Sequence, residues 1–312
     1  MRTLFRICGV SFLVFFGWEY SVAQANNSNN SNSNQVQTQQ TPAQSQPSVL
    51  SPSNKLPADG AYIPQDAGHR RVVPPAQMRA ADIMWKERIW RVINTKEKMN
   101  QDLYYPTVQN SNRICLFDVI KQAVLSGELT AYSYNLNDHD DYSIPLTLKD
   151  LQGVLVFNIK KHNEETDRDT NLHVEVKPED IIGFELKEDW HFEKQRSVID
   201  PRIIWISPIS LSFNLDNGIA DPTMAHENLF WINFEQLRPF LATHPVFNGQ
   251  NDAEWRTFDD VFYKRQFASY IVQQSNVFNR SIESYLKGVD ALEEGNKIHD
   301  KIEGIENDMW QY

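Results

Sequence analysis

Hydrophobic residues recur at helical spacing in two segments of the first half of the chain. In residues 116–124 the apolar positions follow i, i+3, i+4, i+7 and i+8, and Gly127 stands where a helix of that length would end. Residues 85–93, which come after Asp82, place apolar side chains at i, i+4, i+7 and i+8. Both segments are predicted to be amphipathic helices, and a strand through residues 89–93 is the alternative for the second.

The middle third of the chain changes to a β-rich pattern, in which β-branched and aromatic residues dominate and prolines punctuate the segments. The β-rich segments are residues 128–134, 173–176, 184–192, 202–213 and 229–232. This pattern predicts an antiparallel sheet of three to five strands. Helical spacing then returns in residues 233–243, 257–273 and 289–309. The order predicts an α+β protein, with a central antiparallel β-rich region flanked by N- and C-terminal helices.

The predicted helix of residues 257–273 carries apolar side chains on two opposite faces when its residues are placed about 100° apart. One face holds Phe258, Val261, Phe262, Ala268 and Val272, and the other holds Tyr263, Phe267, Tyr270 and Ile271. Such a helix needs two covering surfaces. Either the sheet and the C-terminal segment cover both faces, or Tyr263, Phe267 and Tyr270 contact another protein, for which aromatic side chains are suitable anchors.

The last predicted helix carries a narrow apolar stripe. Ile298, Ile302, Ile305 and Met309 are spaced by four, three and four residues, as in a heptad seam. So few turns do not sustain a free coiled coil, and Gly295 and Gly304 weaken the helix further. The stripe is therefore predicted to dock, either on the body of its own chain or on a partner, and Ile302 is a candidate interface residue.

The N-terminal region differs from the rest. Residues 1–25 combine Arg2 and Arg6 with a short apolar run and small residues before Asn26, a pattern that predicts a secretory signal peptide cleaved at that point. Residues 26–76 are rich in Asn, Gln, Ser and Pro and are predicted to form a disordered tether. The folded region is predicted to span residues 77–312, and no further segment has the length and apolarity of a membrane span.

Composition excludes several classes of protein. The formal charge of -11 leaves no basic field for nucleic acid, and two cysteines exclude a disulfide framework. Eight histidines form no zinc motif, and nucleophile-elbow and phosphate-loop motifs are missing, so no catalytic, metal or cofactor residue is assigned. Cys115 is interpreted as a half-buried structural residue. Residues 135–142 form an acidic loop that does not fit an EF-hand, and whether it binds calcium is left open.

Five longer strings, together with the closing DMWQY, resemble the GldN/PorN family of gliding-motility and type IX secretion proteins. The strings are residues 84–106, 116–132, 186–209, 229–248 and 251–280. The resemblance implies a structural protein of the periplasm without catalytic residues or cofactors. It also implies a ring of copies of the chain, built with a GldK/PorK-like lipoprotein at the inner face of the outer membrane and in contact with a GldM/PorM-like motor component.

A second interpretation comes from the residues alone. A secreted enzyme or glycan-binding domain could use the aromatic, β-rich middle of the chain, with paired carboxylates beside an aromatic-lined cleft. Glu188, Asp189 and Trp190 form the one cluster that suggests such a cleft. The geometry of these three side chains therefore discriminates between the two interpretations.

Overall fold

The computed structural model describes residues 70–110, 113–133, 142–163, 168–212, 226–249, 251 and 255–309, without the side chains of residues 157–172 and Met309. All of these residues belong to the unit formed by residues 62–312. The predicted signal peptide, most of the predicted tether and the acidic loop up to Asp141 lie outside the described residues.

The described residues form an eight-stranded antiparallel sheet, a separate two-stranded hairpin and six α-helices. The strands are β1 (Ile83–Asn94), β2 (Ala131–Ser133), β3 (Ile144–Pro145), β4 (Val156–Asn163), β5 (Arg168–Glu175), β6 (Ile181–Glu193), β7 (Val198–Ser210), β8 (Glu227–Asn228), β9 (Trp231–Asn233) and β10 (Tyr270–Gln274). The helices are α1 (Gln101–Tyr104), α2 (Leu116–Leu125), α3 (Leu148–Leu155), α4 (Phe234–Thr243), α5 (Phe258–Tyr263) and α6 (Val289–Met309).

The order of strands in the large sheet is β10-β1-β6-β7-β9-β2-β3, with β8 also paired to β7. The hairpin consists of β4 and β5. The predicted α+β class, with a central antiparallel sheet and helices at both ends, is confirmed. The sheet has more strands than the three to five predicted, because β1 and β10 come from segments with helical spacing and β3 and β8 have only two residues each.

The helix predicted after Asp82 is wrong, and the alternative is correct. The segment is β1, which pairs with β6 along nearly its whole length, from Ile83 to Asn94. Trp85, Ile89 and Ile93 are four residues apart, a spacing that puts side chains on one face of a helix and also on one face of a strand. The apolar pattern alone therefore could not separate the two structures.

The long helix predicted for residues 257–273 is also wrong. Its start is confirmed, because Thr257 and Asp260 form a capping box at the N-terminus of α5. The helix ends after Tyr263, and Arg265 adopts a φ of 51°, in the left-handed region that a right-handed helix does not use. Each predicted apolar face is therefore divided between α5 and β10, because Tyr263 belongs to α5 whereas Tyr270 and Val272 belong to β10.

The other main helices agree with the sequence. Cys115 caps α2, and Gly127 comes after its last turn with a φ of 77°, the left-handed conformation that favours glycine. Asn233 caps α4, because its side chain accepts a hydrogen bond from the amide of Gln236. Both helices place their apolar stripes in the main core.

The main core lies between one face of the sheet and the helices α2, α4 and α5. It includes Ile93, Ala131, Phe184, Leu186, Ile206 and Ile232 from the sheet and Leu116, Phe117, Ile120, Leu237, Leu241, Phe258 and Phe262 from the helices. Ile89 lies on the same side of β1 as Ile93, because the two residues are four positions apart in the strand. Ile89 belongs to a second core, which therefore lies on the same face of the sheet as the main core. There α6 packs on β1 and β10 through Ile89, Ile271, Ile282, Ile298 and Ile302.

The glycines of α6 have different environments. A Cβ atom on Gly295 would lie 2.9 Å from the carbonyl oxygen of Ile271, so glycine lets α6 approach β10 closely. A Cβ atom on Gly304 would meet nothing within 4 Å. Gly295 therefore serves the packing of α6, whereas Gly304 makes no comparable contact in the described residues.

This difference gives a matched pair of variants. Gly304→Ala should raise the stability of α6 by about 1 kcal/mol, which is the usual difference in helix propensity. Gly295→Ala should instead loosen α6, because its methyl group would push against the backbone of β10. Limited proteolysis should cut Gly295→Ala faster near the C-terminus than the unsubstituted chain. Equal protection of the two variants would contradict the close packing of α6 on β10.

Candidate functional site

A buried carboxylate lies in the middle of the helix-covered face of the sheet. Glu188 of β6 has no solvent exposure. The Nη2 atom of Arg265 lies 2.9 Å from its Oε1 and 3.0 Å from its Oε2, and the indole nitrogen of Trp190 donates a hydrogen bond of 2.8 Å to Oε2. A buried charge of this kind needs a counter-ion, which Arg265 supplies.

Two arginines flank the ring of Trp190. The guanidinium carbons of Arg265 and Arg91 lie 5.6 and 5.9 Å from the ring centroid, within the range of cation–π contacts. Arg91 also donates hydrogen bonds to the hydroxyl and the carbonyl oxygen of Ser269. Burial lowers the pKa of Arg91, while the charge of Glu188 opposes this shift. The cluster therefore joins β1, β6 and the segment between α5 and β10.

The neighbouring carboxylate faces the other way. Successive residues of a strand point to opposite faces, so Asp189 lies on the side of the sheet opposite Glu188. Lys86 and Arg88 contact Asp189 at 2.7 and 2.8 Å. Burial alone would raise the pKa of Asp189, but the hydrogen bonds from Arg88 and Lys86 outweigh burial and lower it. Glu188 and Asp189 therefore do not form the carboxylate pair that the second interpretation requires.

The ion pair of Glu188 should contribute to stability. Glu188→Gln removes the charge opposite Arg265 and should lower the free energy of unfolding by about 3 kcal/mol, as is typical when a buried pair is broken. Glu235→Gln is the matched control, because Glu235 is 62% exposed and lies 3.5 Å from Arg238. The control should change stability by less than about 0.5 kcal/mol. Urea denaturation measures both, and equal effects would refute a special role for Glu188.

An aromatic cluster lies on the opposite face of the sheet. Tyr142 stacks on Trp231, with ring centroids 4.3 Å apart, and contacts Trp205 edge to face. The ammonium group of Lys187 lies 4.4 Å from the centroid of Tyr142. Trp90 and Trp231 are buried, so their rings pack against other side chains and do not offer an open stacking platform for a sugar. This packing does not favour the glycan-binding interpretation.

A cavity of about 950 Å³ lies beside the aromatic cluster. Three carboxylates, those of Glu185, Glu227 and Glu283, are among its lining residues. Burial raises the pKa of Glu185; a hydrogen bond from Asn228 opposes the shift, and the charge of Glu283 adds to it. The ionised form of Glu185 is therefore less favourable in the folded protein than in the unfolded chain.

This shift predicts a pH-dependent effect of Glu185→Gln. Because folding raises the pKa of Glu185, ionisation of this residue destabilises the fold as the pH rises through the pKa of the unfolded chain, about 4.5. The amide of Gln can still accept the hydrogen bond of Asn228 without carrying the charge. The variant should melt at a higher temperature than the original at pH 7, and the difference should shrink toward pH 4. A difference that grew on acidification would contradict the shift.

Cys115 is structural in its environment, as the sequence indicated. It is buried, its Sγ accepts the hydrogen bond of the Asp118 amide, and burial raises its pKa to about 12. A thiol with this pKa is protonated at neutral pH and is a poor nucleophile.

Among the described residues, one group of three potential metal ligands comes together, His299, Asp300 and Glu303 on α6. Asp300 and Glu303 are exposed, which is ordinary for an acidic helix surface.

The candidate interface residues occupy different environments. Tyr263, at the end of α5, is 62% exposed, and Tyr270 is partly buried in β10. Phe267 is 7% exposed and packs in the main core, while Ile302 is 2% exposed and packs against its own chain in the second core. In this conformation Tyr263 offers the largest surface to a partner, whereas Phe267 and Ile302 are covered.

Sequence reasoning missed the partnership of Glu188 and Arg265. The sequence did contain a signal for the burial of Glu188. Every second residue of β6 lies on one face of the strand, and on this face Glu188 stands among apolar side chains, those of Phe184, Leu186, Trp190 and Phe192. A carboxylate within an apolar series of this kind indicates a buried ion pair. The sequence did not indicate Arg265 as the partner, because this residue falls within the helix predicted for residues 257–273.

The described residues thus define an α+β protein in which buried charged residues such as Glu188 and Arg238 are engaged in ion pairs. The family described as Gliding motility associated protein GldN matches residues 78–311. The chain belongs to this family, and it is associated with gliding motility and the cell envelope. A comparison with curated proteins finds no match.

Within the described ranges, no helix combines the length and the apolarity that crossing a bilayer requires. The longest helix, α6, is amphipathic, with buried isoleucines on one side and exposed acidic residues such as Asp300 and Glu303 elsewhere.

Proposed function

We propose that the chain is a structural ring component of the type IX secretion and gliding machinery. It is exported to the periplasm, where it assembles with a GldK/PorK-like lipoprotein at the inner face of the outer membrane. The lipoprotein anchors the ring to the membrane, and a GldM/PorM-like motor component contacts it from the opposite side. In this role the chain supplies binding surfaces and performs no catalysis.

The observation that carries this proposal is the family match over residues 78–311, which includes nearly all of the described residues. The side-chain geometry is consistent with a structural role. Glu188 is neutralised by Arg265, and Asp189 is held by Lys86 and Arg88 on the other face. These carboxylates, on which an enzymatic interpretation depended, are thus engaged in ion pairs with cationic side chains of the same chain.

The proposal predicts a linked phenotype. Deleting the chain from its native cells should abolish gliding and type IX secretion together. Purifying the tagged, full-length chain from detergent-solubilised envelope should recover an outer-membrane lipoprotein and further copies of the chain, identified by mass spectrometry. A chain without residues 1–25 is the control and should recover neither, because it is not exported. Normal gliding and secretion in the deletion strain would refute the proposal.

A further inference from the structure

The two most exposed large apolar side chains of the described residues lie in one turn after β10. Residues 276–280 form this segment, called here the displayed turn. Val277 is 97% exposed and Phe278 is 75% exposed. The side-chain oxygen of Asn276 accepts hydrogen bonds from the amides of Phe278 and Arg280, and its nitrogen donates to the carbonyl oxygen of Arg280. Local hydrogen bonds therefore hold the backbone of the displayed turn while its apolar side chains face solvent.

The charge at the displayed turn is positive. The guanidinium carbon of Arg280 lies 5.0 Å from the ring centroid of Phe278 and 5.1 Å from that of Tyr285, so two cation–π contacts hold it beside the exposed ring. Arg280 is exposed and forms no ion pair with a described residue. Aromatic residues and arginine are enriched at the centres of protein interfaces, and an ordered anchor loses little entropy on binding. The displayed turn therefore offers an apolar anchor together with a cation.

The cavity of about 950 Å³ beside the aromatic cluster has the opposite charge. It is called here the acidic cavity, after the carboxylates of Glu185, Glu227 and Glu283. Strands, loops and a short 3-10 turn line it, without a residue from the described α-helices, and Lys96 is the one lysine or arginine of the described lining. None of the three carboxylates forms an ion pair with a described residue, although Glu185 accepts a hydrogen bond from Asn228. The acidic cavity thus has an excess of negative charge.

Two titratable side chains of the lining respond to this charge. Burial raises the pKa of Glu185, and the charge of Glu283 raises it further. Burial also raises the pKa of Tyr270, and the charges of Glu283, Glu97 and Glu185 add to that shift. The carboxylates therefore lie close enough to act on one another and on Tyr270. A cation that entered the acidic cavity would be attracted by all of them.

We propose that the displayed turn of one copy binds in the acidic cavity of the next copy. The inference rests on the proposed ring function and assigns the surfaces that join neighbouring subunits. Arg280 supplies the cation that the described lining lacks, facing the exposed Glu227 and Glu283. Phe278 packs against the partly exposed apolar part of the lining. That part consists of Ile182, Leu211, Tyr270 and Val272.

The displayed turn does not occupy the acidic cavity of its own chain. Asn279 and Ser281 line that cavity, whereas Phe278 and Arg280 do not and are exposed. The anchor and the cation are therefore available to another copy.

The two surfaces differ, so the contact is head-to-tail. Each copy offers one displayed turn and one acidic cavity, and the contact repeats from copy to copy until a ring closes or a filament grows. Tyr270, which the sequence indicated as a candidate interface residue, lines the cavity and so belongs to the proposed contact.

Cysteine cross-linking in the native envelope tests the contact directly. Two full-length copies with different tags are co-expressed, one carrying Val277→Cys and the other Glu227→Cys, and a disulfide-linked product should carry both tags. Met84→Cys in place of Val277→Cys is the matched control and should give no such product, because Met84 is exposed and apolar but lies outside the displayed turn. The natural Cys115 is buried and should not contribute. Linkage of Val277→Cys copies to each other alone would overturn the head-to-tail contact.

Charge reversal tests the electrostatic match. Lysine-reactive cross-linking of the unsubstituted chain in the envelope should give oligomers. Arg280→Glu should lose them, and so should the cavity variant, which combines Glu227→Arg with Glu283→Arg. A chain carrying all three substitutions should regain them, because the charges are then exchanged between the two surfaces. Loss in the separate variants without recovery in the combined chain would overturn the inference.

Matched controls separate failure of this inference from failure of the proposed function. Arg79→Glu, and Glu179→Arg combined with Glu293→Arg, make the same charge changes at exposed positions outside both surfaces and should keep the oligomers. All variants should retain the circular dichroism spectrum of the original, because the substituted side chains are exposed. Oligomers that persist in Arg280→Glu overturn the inference alone. If the unsubstituted chain forms no oligomers, the ring function fails as well.

Discussion

The ion pair between Glu188 and Arg265 is the interaction on which the arrangement of the C-terminal half depends. Glu188 is fully buried in the middle of the sheet, where an unpaired charge would be costly. Arg265 can reach it because the chain leaves helical geometry directly after α5, with a positive φ at Arg265 itself. The need to neutralise one carboxylate thus coincides with the point at which the helix ends and the chain turns toward β10.

The position of β10 then determines where α6 lies. Because β10 pairs with the outer side of β1, it extends the helix-covered face and gives α6 a surface on which to dock. Gly295 allows α6 to approach the carbonyl of Ile271 closely. The buried charge and the docking of α6 are therefore linked through one short strand.

The sequence predicted those elements whose local signals agree with their packing. Residues 116–124 and 233–243 have apolar stripes and follow residues whose side chains cap a helix N-terminus. Both segments are helical, as predicted. Prediction failed where the apolar spacing was four, as in β1, and where a break depended on one residue, as at Arg265. The cation that neutralises Glu188 is 77 residues away, and no local pattern reports such a pairing. Tyr263 was predicted as an aromatic residue for contact with a partner and is exposed, whereas Phe267 of the same predicted face is buried, which the helical pattern did not reveal.

Amide hydrogen exchange of Arg265→Gly tests the central role of the ion pair most directly. Glycine tolerates the positive φ at this position, so the substitution removes the guanidinium without straining the turn. If the ion pair positions β10, exchange should accelerate in β10 and α6, while α2 and α4 keep their protection. Unchanged protection of β10 and α6, or an equal loss of protection in all four elements, would contradict the account.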